Sequence, residues 1–287
     1  MRILITGAAG RLGASLNERL SQPAENHTLI LADIDEFDAA DYGAARAFIV
    51  DAAPDLVIHS AAWTDVDGCA REPDRALRVN GLGAGNVALA AAQVNAAIVY
   101  VSTNEVFNGE SDRAYHEYDT PAPINAYGVS KWAGEQAVMR ASARHMIART
   151  SWLFAHGGRN FVHVVLSAAH DGRALRVVDD EIACPTYADD LADAIARLMA
   201  VGRWGTYHLV NDGACSRYEL ARYIVERAGL SADITPIASH EWQRASIPPR
   251  YSPLHNLAAA SVGVTLRSWQ SAIDAFLTRE GVALVAP

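Results

Sequence analysis

The sequence predicts an α/β chain built on a doubly wound parallel sheet. Two observations carry this expectation. Short apolar runs alternate with helical segments through the first 150 residues, and a glycine loop joins the first run to the first helix. Runs that stay apolar throughout mark strands buried on both faces, as in a parallel sheet held between layers of helices.

Arg2 to Thr6 is the first such run, and it stops at Gly7. Arg11 to Leu20 follows as a helix with Leu12, Leu16 and Leu20 on one face. His27 to Ala32 is the second strand, ending at Asp33. Tyr42 to Ala52 is a helix that must end before Pro54. Asp55 to His59 is the third strand, Asp74 to Val94 one long alanine-rich helix, and Ala97 to Val101 the fourth strand, closing on Ser102-Thr103. A helix from Asn125 to Ala143 and a strand from His145 to Thr150 complete the regular part. Beyond it the rhythm loosens. Helices are expected at Asn160–Ala169, Asp189–Met199, Tyr218–Arg227 and Trp269–Leu277, with strands at Leu175–Val178 and Tyr207–Val210. Pro236, Pro248, Pro249 and Pro253 mark a loop-rich stretch. Residues 1–150 are thus expected to form the sheet domain, and 151–287 a smaller C-terminal lobe interleaved with it.

Composition narrows the function. With 287 residues and 51% hydrophobic content, the chain can bury a large core without covalent staples. A net charge of −9 argues against a nucleic-acid surface, which would need a basic stripe. It does not exclude phosphate binding, because backbone N–H groups and helix termini hold anions whatever the net charge. Cys69, Cys184 and Cys215 are scattered and odd in number, as expected of small core residues in a reducing compartment. No apolar run approaches the ~20 residues of a membrane span. The N-terminus enters a strand directly without a leader, so a cytoplasmic protein is expected.

Gly7, Gly10 and Gly13 fall at a spacing of three between the first strand and the first helix. Gly7 permits the tight turn, Gly10 lets backbone approach a pyrophosphate, and Gly13 lets the helix pack close to the sheet. Asp33 ends the second strand, where a carboxylate can bind a ribose diol. Asp33 would repel a 2′-phosphate and favours NADH. Arg11, inside the loop, is equally placed to hold that phosphate or to lie in solvent, so NADH and NADPH both stay open.

Tyr127 and Lys131 stand four residues apart on the predicted Asn125–Ala143 helix and so share a face. A phenol titrates near ~10, and a nearby cation moves it toward the working range for proton transfer. Thr103, at the carboxyl end of the fourth strand, is placed to bond a substrate oxygen or the phenol.

At these residues the chain resembles the extended short-chain dehydrogenase/reductases, and within them the dTDP-4-dehydrorhamnose reductases. The matching stretches are the Gly7–Gly13 loop, residues 61–67 (AAWTDVD), Val79-Asn80, Ser102-Thr103, residues 106–109 (VFNG) and residues 127–135 (YGVSKWAGE). Residues 149–152 (RTSW), 184–186 (CPT), 189–192 (DDLA) and 205–209 (GTYHL) complete the match. The resemblance implies a Rossmann domain that binds NADPH or NADH. It implies Gly10, Arg11 and Leu12 along the pyrophosphate, Asp33, Asp38 and Ala39 near the adenosine, and Ala62, Trp63 and Thr64 along the third strand. It further implies Lys131 on the nicotinamide ribose, and Tyr127 as proton donor supported by Thr103. Thr103, Asn104 and Trp152 would face the sugar nucleotide. The implied reaction is reduction at the C4 keto carbon of a dTDP-4-keto-6-deoxyhexose. Some members bind magnesium at a dimer contact. No ligand set for a metal is identified in this sequence, and a homodimer stays open.

Two departures stand out. The reductases carry Thr-Asp-Tyr where this chain has Thr103-Asn104-Glu105. The related 4,6-dehydratases carry Thr-Asp-Glu, with the Asp as acid and the Glu as base. Asn104 is an amide and supplies no proton at neutral pH, which disfavours elimination. An epimerase or dehydratase with recycled NAD remains the alternative, beside a non-catalytic dinucleotide-binding regulatory subunit. The second departure is Pro249-Arg250-Tyr251-Ser252-Pro253, in which Arg250 is either a bidentate phosphate ligand or a surface residue. His156, His163 and His170 recur every seven residues, without a carboxylate in sequence to complete a metal set, and are read as satisfied or surface histidines.

Overall fold

The structure, a computed structural model, describes residues 1–158 and 160–285. Residue 159 and the last two residues of the predicted lobe lie outside that description.

The chain begins β1 (Arg2–Thr6), α1 (Arg11–Leu20), β2 (Thr28–Ala32), α2 (Tyr42–Ala52) and β3 (Leu56–His59). After β3 come α3 (Val66–Arg71), α4 (Pro73–Ala76), a π-helical stretch at Leu77–Leu82 and α5 (Gly83–Gln93). Next are β4 (Ala97–Thr103), α6 (Ala126–Ala141) and β5 (His145–Thr150). The remainder comprises β6 (Leu153–Phe154), α7 (Phe161–His170), β7 (Leu175–Val178), β8 (Ile182–Ala183), β9 (Thr186–Tyr187) and α8 (Ala188–Val201). It closes with β10 (Gly205–His208), β11 (Cys215–Ser216), α9 (Arg217–Arg227), β12 (Ile234–Ile237), α10 (Leu257–Ser261) and α11 (Trp269–Arg279).

Six strands form one parallel sheet in the order β10-β5-β4-β3-β1-β2. The order reverses between β1 and β3, so a crevice opens there at the strand carboxyl ends. The predicted doubly wound Rossmann sheet is therefore observed. Its side chains alternate as strand geometry requires. Ile3 and Ile5 enter a core with Leu12 and Leu16 of α1 and Leu191, Ile195 and Leu198 of α8. Leu4, between them in sequence, enters the opposite core with Ile49 of α2 and Val87 of α5.

The sheet does not stop at residue 150. β10 pairs in register with β5 through Gly205–His208, and α8 packs against α1. Residues beyond 150 thus supply one strand, β10, and one helix, α8, to the sheet layer. The rest of the second part keeps its own core, in which Val165 of α7, Ile224 of α9 and Ile273 and Phe276 of α11 pack around Phe154.

The expected Asp74–Val94 helix is broken by the π-helical stretch, which holds the buried Asn80. Asn80 accepts from Trp63 N at 2.8 Å and donates to Trp63 O at 3.1 Å and Ser130 Oγ at 3.0 Å. A π turn inserts one residue and re-aims a side chain. Here it clamps the segment after β3 to α6.

α6 starts on Asn125, whose side chain accepts from Gly128 N at 2.8 Å. Tyr127, Lys131 and Glu135 recur every four residues on its sheet-facing stripe. Glu135 receives Arg149 Nη2 at 2.7 Å and Nε at 2.9 Å, and Ser102 Oγ at 2.5 Å. Glu135 and Arg149 are both buried, so this bidentate pair pins α6 to β4 and β5 directly beneath Lys131. Cys69, Cys184 and Cys215 are buried free thiols. Among the described residues no helix is long and apolar enough to cross a membrane.

Candidate active site

The crevice at the switch point contains two adjoining cavities of about 360 Å³ and 400 Å³ that share Gly7 and Ala62 in their walls. The glycine loop builds the shared wall. Gly7 has φ +71°, and a Cβ there would lie 2.6 Å from Ala61 N. A Cβ on Gly13 would lie 2.2 Å from Gly7 O. Neither position tolerates a side chain, so the loop is held flat against the sheet, where backbone can approach a ligand closely.

The first cavity collects Asp33, Asp38 and Ala39, expected near a dinucleotide's adenosine, with Ala62 and Trp63, expected along the third strand. Asp33 Oδ2 accepts from Ala9 N at 3.0 Å, which ties the end of β2 to the glycine loop. Arg75 and Arg78 line the same cavity, and Arg75 stacks over Trp63 at 4.3 Å. Sequence reasoning missed both arginines, Arg75 on α4 and Arg78 on the π-helical stretch beside it. Arg11 lines the second cavity with Gly10, Leu12, Gly13 and Thr64, not the cavity of Asp33.

The second cavity also holds Thr103, Asn104, Glu105, Tyr127, Lys131 and Trp152. Thr103 ends β4, its hydroxyl accepts from Glu105 N at 3.2 Å, and it lies beside the Tyr127 phenol. Burial is the first cause that raises the Tyr127 pKa, the Glu105 charge adds to it, and the Thr103 hydrogen bond opposes it. Burial pushes the Lys131 ammonium down to about 7 against the pull of Glu135. Lys131 Nζ sits 4.1 Å over the Tyr100 ring. The phenol is therefore held protonated rather than moved toward neutrality by Lys131, contrary to the sequence argument. In this state its surroundings suit a proton donor.

Asn104 lines the wall, yet its amide is engaged within the protein. Nδ2 donates to Ser252 Oγ at 2.7 Å, and Oδ1 accepts from Thr103 at 3.3 Å. Glu105 faces both this cavity and a smaller neighbour, and its Oε2 accepts from Asn125 Nδ2 at 2.7 Å. Burial raises the Glu105 carboxyl above its ordinary range. Arg250 is not in either cavity wall. Its guanidinium is largely exposed and pairs with Asp180 at 3.0 Å, so the phosphate-ligand reading finds no geometric support. Arg217, which no sequence motif marks, lines both the second cavity and its smaller neighbour. His156 and His163 both meet Glu280, a carboxylate remote in sequence, and pack on Phe276.

Comparison with known proteins agrees with this geometry. The family described as RmlD substrate binding domain matches residues 1–281. The chain is 37% identical over 282 residues to the spore coat polysaccharide biosynthesis protein SpsK of Bacillus subtilis, covering 98% of this chain and 99% of that protein. It is 36% identical over 294 residues to the dTDP-4-dehydrorhamnose reductase of Mycobacterium tuberculosis, covering 100% of this chain and 93% of that one. The crystal structure of the Bacillus anthracis dTDP-4-dehydrorhamnose reductase in complex with NADP superposes with a TM-score of 0.93 at 35% identity, covering 97% of this chain and 99% of that one.

Proposed function

The chain belongs to the family of the RmlD substrate binding domain, and from that premise we propose that it reduces the C4 keto group of a dTDP-4-keto-6-deoxyhexose. The reaction is dTDP-4-dehydrorhamnose to dTDP-L-rhamnose, or a close analogue, with NADPH or NADH as reductant. A cytoplasmic location and a homodimer accompany this reading. One observation carries it: Thr103, Tyr127 and Lys131 line the same cavity as the Gly10–Gly13 loop.

The residues present fit a dinucleotide, because the Cβ-intolerant cradle at Gly7 and Gly13 leaves backbone free to face a pyrophosphate. Bound there, the nicotinamide supplies the hydride. Gly10, Arg11 and Leu12 would hold the pyrophosphate, and Asp33, Asp38 and Ala39 the adenosine. Ala62, Trp63 and Thr64 would follow the cofactor along β3, with Lys131 at the nicotinamide ribose. Trp152 and Thr103 face the sugar, and Asn104 braces that wall through Ser252. Tyr127 donates its proton to the alkoxide oxygen formed at C4, and Thr103 orients the phenol.

The alternatives are not favoured. An eliminating enzyme needs an acid where this chain has Asn104, whose amide carries no acidic proton and is committed to Ser252. A purely regulatory subunit has no use for an intact Thr103, Tyr127 and Lys131 set. Tyr127→Phe tests the mechanism. Turnover of the keto sugar is expected to fall at least ~10²-fold with NADH affinity retained. Near-normal turnover in that variant would overturn it, as would product formation by the wild type without net oxidation of the cofactor.

A further inference from the structure

The geometry points to Arg217, stacked on Trp152, as the anchor for the diphosphate of the nucleotide substrate. This inference rests on the reductase reading and extends it to a residue that no motif marks.

Arg217 opens α9, and its side chain lines the catalytic cavity and the smaller cavity beside it. The Trp152 ring lies 3.6 Å from the guanidinium carbon, and the Phe161 ring 5.3 Å. Trp152 adopts φ +39°, a left-handed backbone that a bulky residue rarely takes. Such strain persists where the surroundings fix it, and functional sites are where it gathers. Here it accompanies a stacked Arg217 guanidinium. A guanidinium whose face is covered by a ring keeps its N–H donors in the plane of the fork, free to meet a ligand edge-on.

Charge bookkeeping leaves Arg217 short of a partner. Among the described residues no carboxylate oxygen lies within the 4.0 Å of an ion pair. Its two acidic neighbours are committed elsewhere, Glu105 to Asn125 and Glu181 to Arg244. Burial draws its pKa down to about 10 against the attraction of those acids. A half-buried cation without a close counter-ion carries a desolvation cost that an anionic ligand relieves. The other cations nearby are less suited. Arg244 is paired with Glu181, Arg250 with Asp180, and Lys131 lies over Tyr100.

The substrate's chemistry supplies that anion. Its diphosphate hangs from C1, across the sugar ring from the C4 carbonyl that Tyr127 must reach. The phosphate anchor must therefore share a cavity with Tyr127 without touching the reacting carbon. Arg217 meets that condition, and its planar fork matches phosphate oxygens bidentately.

The test is calorimetric titration of the full-length protein with dTDP and, separately, with thymidine, for wild type, Arg217→Met and Arg217→Lys. The methionine variant is expected to weaken dTDP binding at least ~10-fold, with thymidine binding unchanged and partial recovery in the lysine variant. The KM for the keto sugar should rise by a similar factor while kcat stays within a few-fold, and unchanged NADH affinity confirms the fold. Unchanged dTDP affinity in Arg217→Met overturns the inference, as does equal weakening of thymidine, which would make Arg217 a stacking residue. Wild-type reduction of the keto sugar alongside unaffected Arg217→Met removes this inference alone. A wild type that neither binds dTDP nor reduces the sugar removes the function and the inference together.

Discussion

Replacing Lys131 by Met should stabilise the cofactor-free protein while abolishing turnover. Lys131 is 3% exposed, and burial holds its pKa at about 7 rather than 10.5. At 1.36 kcal/mol for each pH unit, folding with this group charged costs roughly 5 kcal/mol. That figure already contains the attraction of the Tyr100 ring for the ammonium, so the variant should gain about 5 kcal/mol at pH 6. Between pH 7 and 10.5 the unfolded wild type keeps the Lys131 proton and the folded one does not. Wild-type stability then rises with pH, and the advantage of the variant shrinks to nearly nothing by pH 10.5. The other titratable neighbours leave this window clean. His59 is held near 3 by burial and is neutral throughout, and Tyr100 and Tyr127 are pushed above their ordinary values. Urea unfolding of both proteins at pH 6, 8 and 10 measures the difference. A variant less stable than wild type at pH 6, or a margin that does not change with pH, would refute the argument.

Gly13→Ala places a Cβ 2.2 Å from Gly7 O and 2.7 Å from Ala8 Cα, so the loop backbone must move. NADH affinity should fall at least ~10-fold by fluorescence titration, since the cradle is backbone; an unchanged Kd would count against the loop as the pyrophosphate site. Asp33→Ser removes the carboxylate from a cavity that keeps Arg75 and Arg78. The ratio of kcat/KM for NADPH over NADH should rise at least ~10-fold, and a constant ratio would show that Asp33 does not set the preference.

The five strands of the first half were legible because each is an apolar run, four of them largely buried and β2 at the sheet edge only in part. β10 was legible as a strand but not as a neighbour of β5. Periodicity reports what a segment is, and pairing is decided by the chain's return through α8. The π turn at Leu77–Leu82 was invisible for a related reason. An alanine-rich segment satisfies a helical pattern with or without one inserted residue, and only Asn80's three bonds to Trp63 and Ser130 show why it is there. The two-residue strands from β6 onward are too short to carry any period.

At the site, residue types with fixed offsets were readable, and long-range partners were not. Tyr127 and Lys131 follow from a spacing of four on one helix. What sets their protonation comes from elsewhere: Glu105 after β4, Glu135 one turn on, and burial against Tyr100. This is why the expected depression of the Tyr127 pKa reverses in sign. The reversal suits reduction. An alkoxide formed at C4 is a much stronger base than a phenolate, so the phenol needs its proton in place and no lowered pKa to give it up. Burial and the Glu105 charge keep that proton on Tyr127. Oxidation, the reverse reaction, would need the phenolate that this environment disfavours. On the proposed mechanism, the same carboxylate that resembles a dehydratase base would thus act, through its charge, to keep Tyr127 protonated.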